Sequence, residues 1–324
     1  MKIPQLRLIS TNYCDSECVY CRPSGEATHV DDKRALDLNM AIEISKLYKE
    51  IGGWDVKITG GDPVFWEHLR ECVKILKNEI KIPKVEIVTR STKMRQLVDD
   101  LLASGLDSLC FSLDTLIEDK YIKITGRSDF SEYVDVIKFC ASKICCKINT
   151  VVMKDINDDE IANIIQFCEA NKIDEVKFLD IIKDLHSDGK TNAHRLGTVY
   201  DKTLDEVARN LDFDRQMKDV GVIDAHRKLG TQLKFYTGEN GLNITLKDGS
   251  SYGNWYLKSC EDCPYFKCHD AMMAIRLVPD NYLQLCLVNK NNSFPLNCKN
   301  VEKNRDVFEK CLKLFNSAEF YENI

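Results

Sequence analysis

Cys14-Asp-Ser-Glu-Cys18-Val-Tyr-Cys21 brings three thiols together on one short stretch, spaced C-x3-C-x2-C. Three thiolates so close suit an iron–sulfur cluster, and a three-Cys loop leaves one iron of a four-iron cluster without a protein ligand, open to a cofactor. Zinc usually takes four ligands arranged in pairs, so a partial zinc site or three core cysteines is the plainer alternative. A second set, Cys260-x2-Cys263-x4-Cys268-x17-Cys286, offers four thiols. Four suit either a complete cubane or a tetrahedral zinc. Beside the first loop a second, auxiliary four-iron cluster is the favoured reading. With four ligands it is closed and suits electron transfer; with three it presents an iron to substrate, and Cys298 is then a substitute ligand or a bystander.

Gly60-Gly61-Asp62-Pro63 ends a strand-like run. Two glycines let a ligand approach the backbone closely, although an ordinary strand-ending turn reads the same way. Cys72, Cys110, Cys140, Cys145, Cys146, Cys168 and Cys311 are scattered, and most of them read as small core hydrophobes.

These residues need elements to position them. Strand patterns at 6–10, 56–59, 85–89, 108–113, 147–152 and 175–179 alternate with helical patterns at 39–50, about 66–79, 93–104 and 131–142. Asn157-Asp158-Asp159-Glu160 opens a further helix, with acids in its first turn as the macrodipole prefers. Six βα units predict an α/β fold: a partial (β/α)6 TIM-type barrel, short of the eight strands of a closed one. The cysteine loop and the Gly-Gly-Asp-Pro turn then both fall at C-terminal strand ends, where barrel chemistry sits. Beyond about 185 the rhythm changes. Residues 186–198 read as a polar loop, 203–218 as a helix, and 238–241 and 247–250 as hairpin turns before the second cysteine set. Two domains follow, a barrel core at 1–185 and a linker with a small cysteine-rich extension at 186–324.

The chain has 324 residues, a net charge of −6, 15 cysteines and 44% hydrophobic residues. That content suffices for a large core, and the mild acidity disfavours a protein whose main partner is a nucleic-acid backbone. No apolar run is long enough to span a bilayer, and the N-terminus lacks a signal-peptide pattern, so a cytoplasmic location with no membrane partner is expected.

The first cysteine loop resembles the signature of the radical S-adenosylmethionine (SAM) superfamily, and Gly60-Gly61-Asp62 resembles its "GGE" motif with Asp in place of Glu. Further stretches resemble the GTP cyclase family of molybdopterin biosynthesis: Leu6-Arg7-Leu8, Ser112-Leu113-Asp114-Thr115-Leu116, Lys147-Ile148-Asn149-Thr150-Val151-Val152 and Ala274-Ile275-Arg276-Leu277. The resemblance implies a twitch-type extension after the barrel. It implies SAM contacts at Tyr20, Gly61 and Ser112, with Gly60, Asp62, Pro63, Thr89 and Asn149 on the cofactor's side. It implies substrate contacts at Arg7, Lys57, Lys147 and Arg276, with Thr89 also within reach. Ordinary ion pairs are the competing account of the two lysines. The chain departs from the cyclases at Asp55, where they have lysine, at Lys57 and Ala274, where they have arginine, and at its end, which lacks their Gly-Gly tail. A less anionic substrate is therefore expected.

The resulting reading is an enzyme that cleaves SAM reductively and abstracts hydrogen from a small polar biosynthetic substrate, with an electron donor such as flavodoxin or ferredoxin as partner. A peptide substrate is the alternative, disfavoured because the first strand begins too near Met1 for a leader-binding module. A zinc protein that binds nucleic acid would need a basic, aromatic patch, for which Tyr265-Phe266-Lys267 is a weak candidate.

Overall fold

The alternating direction of side chains along β1 (Gln5–Ile9) orients everything built on it. Leu6 and Leu8 are fully buried against the helices, so Arg7, between them, points to the opposite face. The computed structural model describes residues 2–21, 33–181, 204, 218–222, 233–238, 240–248, 253–268, 272–287, 290–298 and 300–321.

The chain continues through α1 (Leu38–Glu50), β2 (Asp55–Thr59), α2 (Leu69–Asn78), β3 (Lys84–Thr89) and α3 (Met94–Ala103). Then come β4 (Ser108–Ser112), the helix pair α4 (Glu118–Thr125) and α5 (Phe130–Ala141), β5 (Cys145–Val151), α6 (Ile161–Ala170) and β6 (Glu175–Leu179). Strands β1 to β6 lie side by side in sequence order, all parallel, as βα crossovers require. One apolar core fills the space between this sheet and the helices, with Met40, Ile44, Val73, Leu76, Val98, Leu101, Val136 and Ile164 as helix-borne members. The helices are cut by local chemistry. The Asp37 side chain caps α1 by accepting from Met40 N–H at 2.9 Å, and α4 ends at Gly126 in the left-handed region, φ +71°.

The segment after residue 186 extends the sheet on both edges. Strands β7 (Lys218–Val222), β8 (Leu233–Thr237) and β9 (Asn243–Lys247) form an antiparallel set that joins β6 through β9, parallel to it. On the other edge β11 (Ala274–Val278) runs parallel to β1 and carries β12 (Tyr282–Gln284) and β13 (Ser293–Pro295). The result is an open barrel wall of twelve strands. A small separate ribbon pairs β10 (Asn254–Tyr256) with β14 (Glu319–Tyr321), and α7 (Val301–Asn316) precedes the latter.

The expected partial barrel and its six parallel strands are present within a residue or two. The turn at 238–241 is the predicted hairpin turn between β8 and β9. The polar loop at 186–198, most of the helix at 203–218 and half of the turn at 247–250 lie outside the described residues; of the helix, Lys218 is already in β7. One expectation is corrected: α6 starts at Ile161, after the acidic run rather than on it. Asn157 and Glu160 are occupied elsewhere, bonding Asp114 and Val151 carbonyls and the Thr115 hydroxyl respectively, and this holds the preceding residues in a loop. Of the scattered cysteines all but Cys145, which is exposed, are buried. Among the described residues no helix is long and apolar enough to cross a membrane.

Candidate active site

The cysteine loop leaves the C-terminal end of β1 and is bolted to its neighbours through backbone. Gly61 N–H donates to Thr11 C=O at 2.6 Å and Asp62 N–H to Tyr13 C=O at 2.8 Å. On its far side Glu17 and Val19 N–H donate to the last carbonyls of α4, Thr125 and Ile124, each at 2.9 Å. Arg127 adds an ion pair to Asp15. The glycines have a cause visible here. A Cβ on Gly61 would stand 2.0 Å from the Tyr13 carbonyl oxygen, and one on Gly60, at φ +149°, 2.5 Å from that of Thr11. What approaches this turn is the chain's own cysteine loop.

Asp62 is a brace. Its buried carboxylate accepts from the Thr89 hydroxyl at 2.7 and 2.9 Å, Arg90 N–H at 2.8 Å and Val64 N–H at 3.2 Å, joining the ends of β2 and β3. Burial outweighs these bonds and pushes the carboxyl up to about 6. Pro63 begins the single turn that Asp62 caps.

Tyr20, between two of the cysteines, donates its hydroxyl to Asp114 Oδ2 at 2.7 Å and accepts from Arg90 Nη2 at 2.6 Å. Asp114 follows β4 and also accepts from Val151 N–H at 2.9 Å. Arg90 and Asp114 are a buried ion pair that the sequence reading did not single out; Asp114 stood inside a recognised stretch, but nothing local to Arg90 marked it. Ser112 and Asn149 are register partners at the ends of β4 and β5, on the same rim.

Cys14, Cys18 and Cys21 interact electrostatically with one another, and burial pushes the Cys14 and Cys18 thiols up to about 12 and about 11. Such thiols are neutral by themselves and lose their protons when a metal binds them. The donor set therefore fits an iron–sulfur cluster: three soft ligands on a rigid loop, with a barrel mouth beneath. Among the described residues no three His, Cys, Asp or Glu are gathered tightly enough for a single ion. A four-iron cluster asks for less convergence, since each thiolate meets its own iron.

Below the loop, Arg276 of β11, Arg7 of β1 and Lys57 of β2 stand in one cross-strand row. The row continues as a lattice of charges. Glu86 of β3 binds Lys57 at 2.5 Å and Lys147 of β5 at 2.8 Å; Glu175 of β6 binds Lys147 at 3.3 Å and Lys177 at 3.6 Å. Gln5 links Arg7, at 3.1 Å, to Asp55, at 2.8 Å. Burial alone would discharge Lys57, but Glu86 holds it charged; burial likewise opposes Glu175, yet Lys177 and Lys147 bring it down to about 2. All four cations of the sequence reading thus belong to one lumen, and the chain's own carboxylates answer much of their charge.

Cys260, Cys263, Cys268 and Cys286 line a single pocket with Tyr256 and Phe266. A one-turn helix, Lys258–Cys260, and the bond from Cys263 N–H to Cys260 C=O at 2.9 Å shape the first pair. Tyr256 donates to the Cys268 carbonyl at 2.5 Å and packs edge-on to Phe266 at 5.3 Å. Cys286 arrives by the β11–β12 hairpin, whose first strand carries Arg276. Four soft ligands with an aromatic wall fit a second cluster. Cys298 is exposed, takes a bond from Asn281 and is not among the lining residues.

A family model described as "Radical SAM superfamily" matches residues 8–168. GTP 3',8-cyclase of Clostridium perfringens is 30% identical over 294 residues, covering 88% of this chain and 81% of that protein. The Helicobacter pylori GTP 3',8-cyclase is 24% identical over 286 residues, covering 88% and 80%. Among solved structures, Streptococcus suis SuiB superposes with a TM-score of 0.65 at 17% identity, covering 97% of this chain and 67% of its own. The AdoMet-bound anSMEcpe gives 0.63 at 14% identity, covering 96% and 82%. Both show the same fold.

Proposed function

This chain belongs to the radical SAM superfamily, and from that premise we propose an enzyme that cleaves SAM on the Cys14/Cys18/Cys21 loop and takes hydrogen from a small polar substrate held in the barrel lumen. Cys14, Cys18 and Cys21 would hold a four-iron cluster, which would supply the electron for reductive cleavage of SAM. The chain's residues position and exclude water. Tyr20, Gly61, Ser112 and Asn149 form the rim on the cofactor's side, while Asp62 and Thr89 keep the rim rigid through each other. Arg7, Arg276, Lys57 and Lys147 reach into the lumen from beneath and orient the polar groups of the substrate. Cys260, Cys263, Cys268 and Cys286 hold an auxiliary cluster beside the strand that carries Arg276.

The observation that carries the substrate class is the charge lattice. A lumen whose lysines share Glu86 and Glu175, with Asp55 near Arg7, suits a substrate of one or two negative charges rather than a triphosphate. Phosphate recognition wants cations free to pair with it. The test is an anaerobic assay with reductant, SAM and candidate substrates. 5′-Deoxyadenosine is expected to form, and GTP is expected neither to stimulate it nor to be consumed. Conversion of GTP would overturn the substrate class, and absence of 5′-deoxyadenosine under every condition would overturn the reaction. SuiB has also been solved bound to its precursor peptide, SuiA; stimulation by a peptide alone would move this chain to a peptide-modifying class.

A further inference from the structure

Arg90 directly follows β3 and is buried, with 7% of its side chain exposed. Its backbone N–H is fixed by Asp62, and its Nη2 donates to Tyr20 Oη at 2.6 Å and Asp114 Oδ2 at 2.5 Å. Its Nη1 is also buried and has no acceptor among the described residues. A buried guanidinium N–H left unbonded costs on the order of 1–3 kcal/mol, so natural sites seldom leave one unanswered. Asp114 receives Nη2 alone: its Oδ2 takes Arg90 and Tyr20, and its Oδ1 takes Val151 N–H. Arg90 and Cys18 lie within electrostatic reach of each other. The guanidinium therefore sits against the stretch of the loop that carries Cys18 and its partner Tyr20.

We propose that Arg90 Nη1 donates to the cluster edge at Cys18, through the thiolate or an adjacent sulfide, and that this fixed cation raises the reduction potential of the N-terminal cluster. The physical ground is that a reduced cluster carries one more negative charge than the oxidised one. A buried cation a few ångströms away stabilises the more negative state further, and low surrounding polarity strengthens the effect. Asp114 and Tyr20 give the guanidinium a single orientation, so the donor would be in place before any electron arrives. Arg90 is thus a positioning and tuning residue; it neither takes part in a bond change nor binds substrate.

The proposal rests on the assignment of Cys14, Cys18 and Cys21 to a cluster, and the experiment separates the two. The full chain is reconstituted anaerobically, and the EPR signal that changes on adding SAM is followed through a reductive titration. Arg90→Gln is expected to lower the midpoint by about 59 mV, which corresponds to a tenfold loss in relative stability of the reduced state. Arg90→Lys, which keeps the charge but not the fork, falls less. Asp114→Asn, which keeps Arg90 and removes the opposing charge, moves the midpoint the other way; it carries the test should Arg90→Gln fail to fold. Midpoints unchanged in Arg90→Lys and Asp114→Asn would overturn the proposal. So would unchanged midpoints with SAM binding weakened tenfold or more, because Nη1 would then serve the SAM carboxylate. A native chain with no SAM-responsive signal would instead defeat the cluster assignment itself.

Discussion

Gly61→Ala is expected to leave a folded barrel that cannot keep iron on its N-terminal loop. The new methyl would lie 2.0 Å from the Tyr13 carbonyl oxygen, 2.3 Å from its carbon and 2.8 Å from the Asn12 carbonyl oxygen. All three are backbone atoms, so no side-chain rotation relieves the overlap. The loop must lift off the end of β2, breaking the Gly61–Thr11 and Asp62–Tyr13 bonds that set its position. Overpacking of this kind costs about 1–3 kcal/mol, too little to unfold a core as large as this one. The cysteines, however, lose the geometry of their site, and 5′-deoxyadenosine formation falls to background. Iron and sulfide analysis with circular dichroism reads the outcome. A variant with native secondary structure and full iron on this loop would show that the close approach does not govern the site.

Glu86→Gln is expected to destabilise the chain by about 3 kcal/mol in urea unfolding, with little change in slope. Glu86 is 1% exposed and is the shared partner of Lys57 and Lys147. Removing one member of a buried charge cluster leaves the others uncompensated, which is far costlier than losing a surface pair. Lys147 retains Glu175, whereas Lys57 loses the carboxylate that keeps it charged against burial. The same lattice predicts acid sensitivity. Glu175 is held at about 2 and Glu86 well below its ordinary 4.5, so both stabilise the fold fully above pH about 4.5; Glu175 stops doing so as pH falls toward 2, and Glu86 weakens in the same direction. For Glu175 the loss is roughly 3 kcal/mol. Glu175→Gln should flatten the stability profile across that window. A profile identical to the native one, or a Glu86→Gln loss under about 1 kcal/mol, would mean that solvent screens the lattice.

The two cysteine sets and the glycine turn were legible in the sequence because their chemistry is local: spacing alone brings Cys14, Cys18 and Cys21 together. The six strands were legible because buried parallel strands read as short apolar runs between helical periods. The glycines were legible as a close approach but not in what approaches, since Thr11–Tyr13 is some fifty residues away in the chain. Long-range charge was the least visible part. Lys57 and Lys147 read as lone lysines, and only the register of β2 to β6 brings Glu86 between them and Glu175 to the far side of Lys147. Arg90 carried no mark for the same reason, as its partners Tyr20 and Asp114 come from two other strand ends. Helix α7 escaped notice although Phe308, Cys311, Leu312 and Phe315 are spaced to bury one face. The flanking strand β11 escaped because its parallel partner, β1, lies far off in sequence.

The proposed function requires two clusters on two separate cysteine sets, only one of which serves SAM. Iron and sulfide content after anaerobic reconstitution tests it most directly, on the native chain and on the Cys14/Cys18/Cys21→Ala triple variant. About eight irons are expected in the native chain and about four in the variant, with 5′-deoxyadenosine formation lost in the variant. Native protein with zinc on the C-terminal cysteines and about four irons would reduce that set to a structural site, and native protein with no iron at all would contradict the radical mechanism outright.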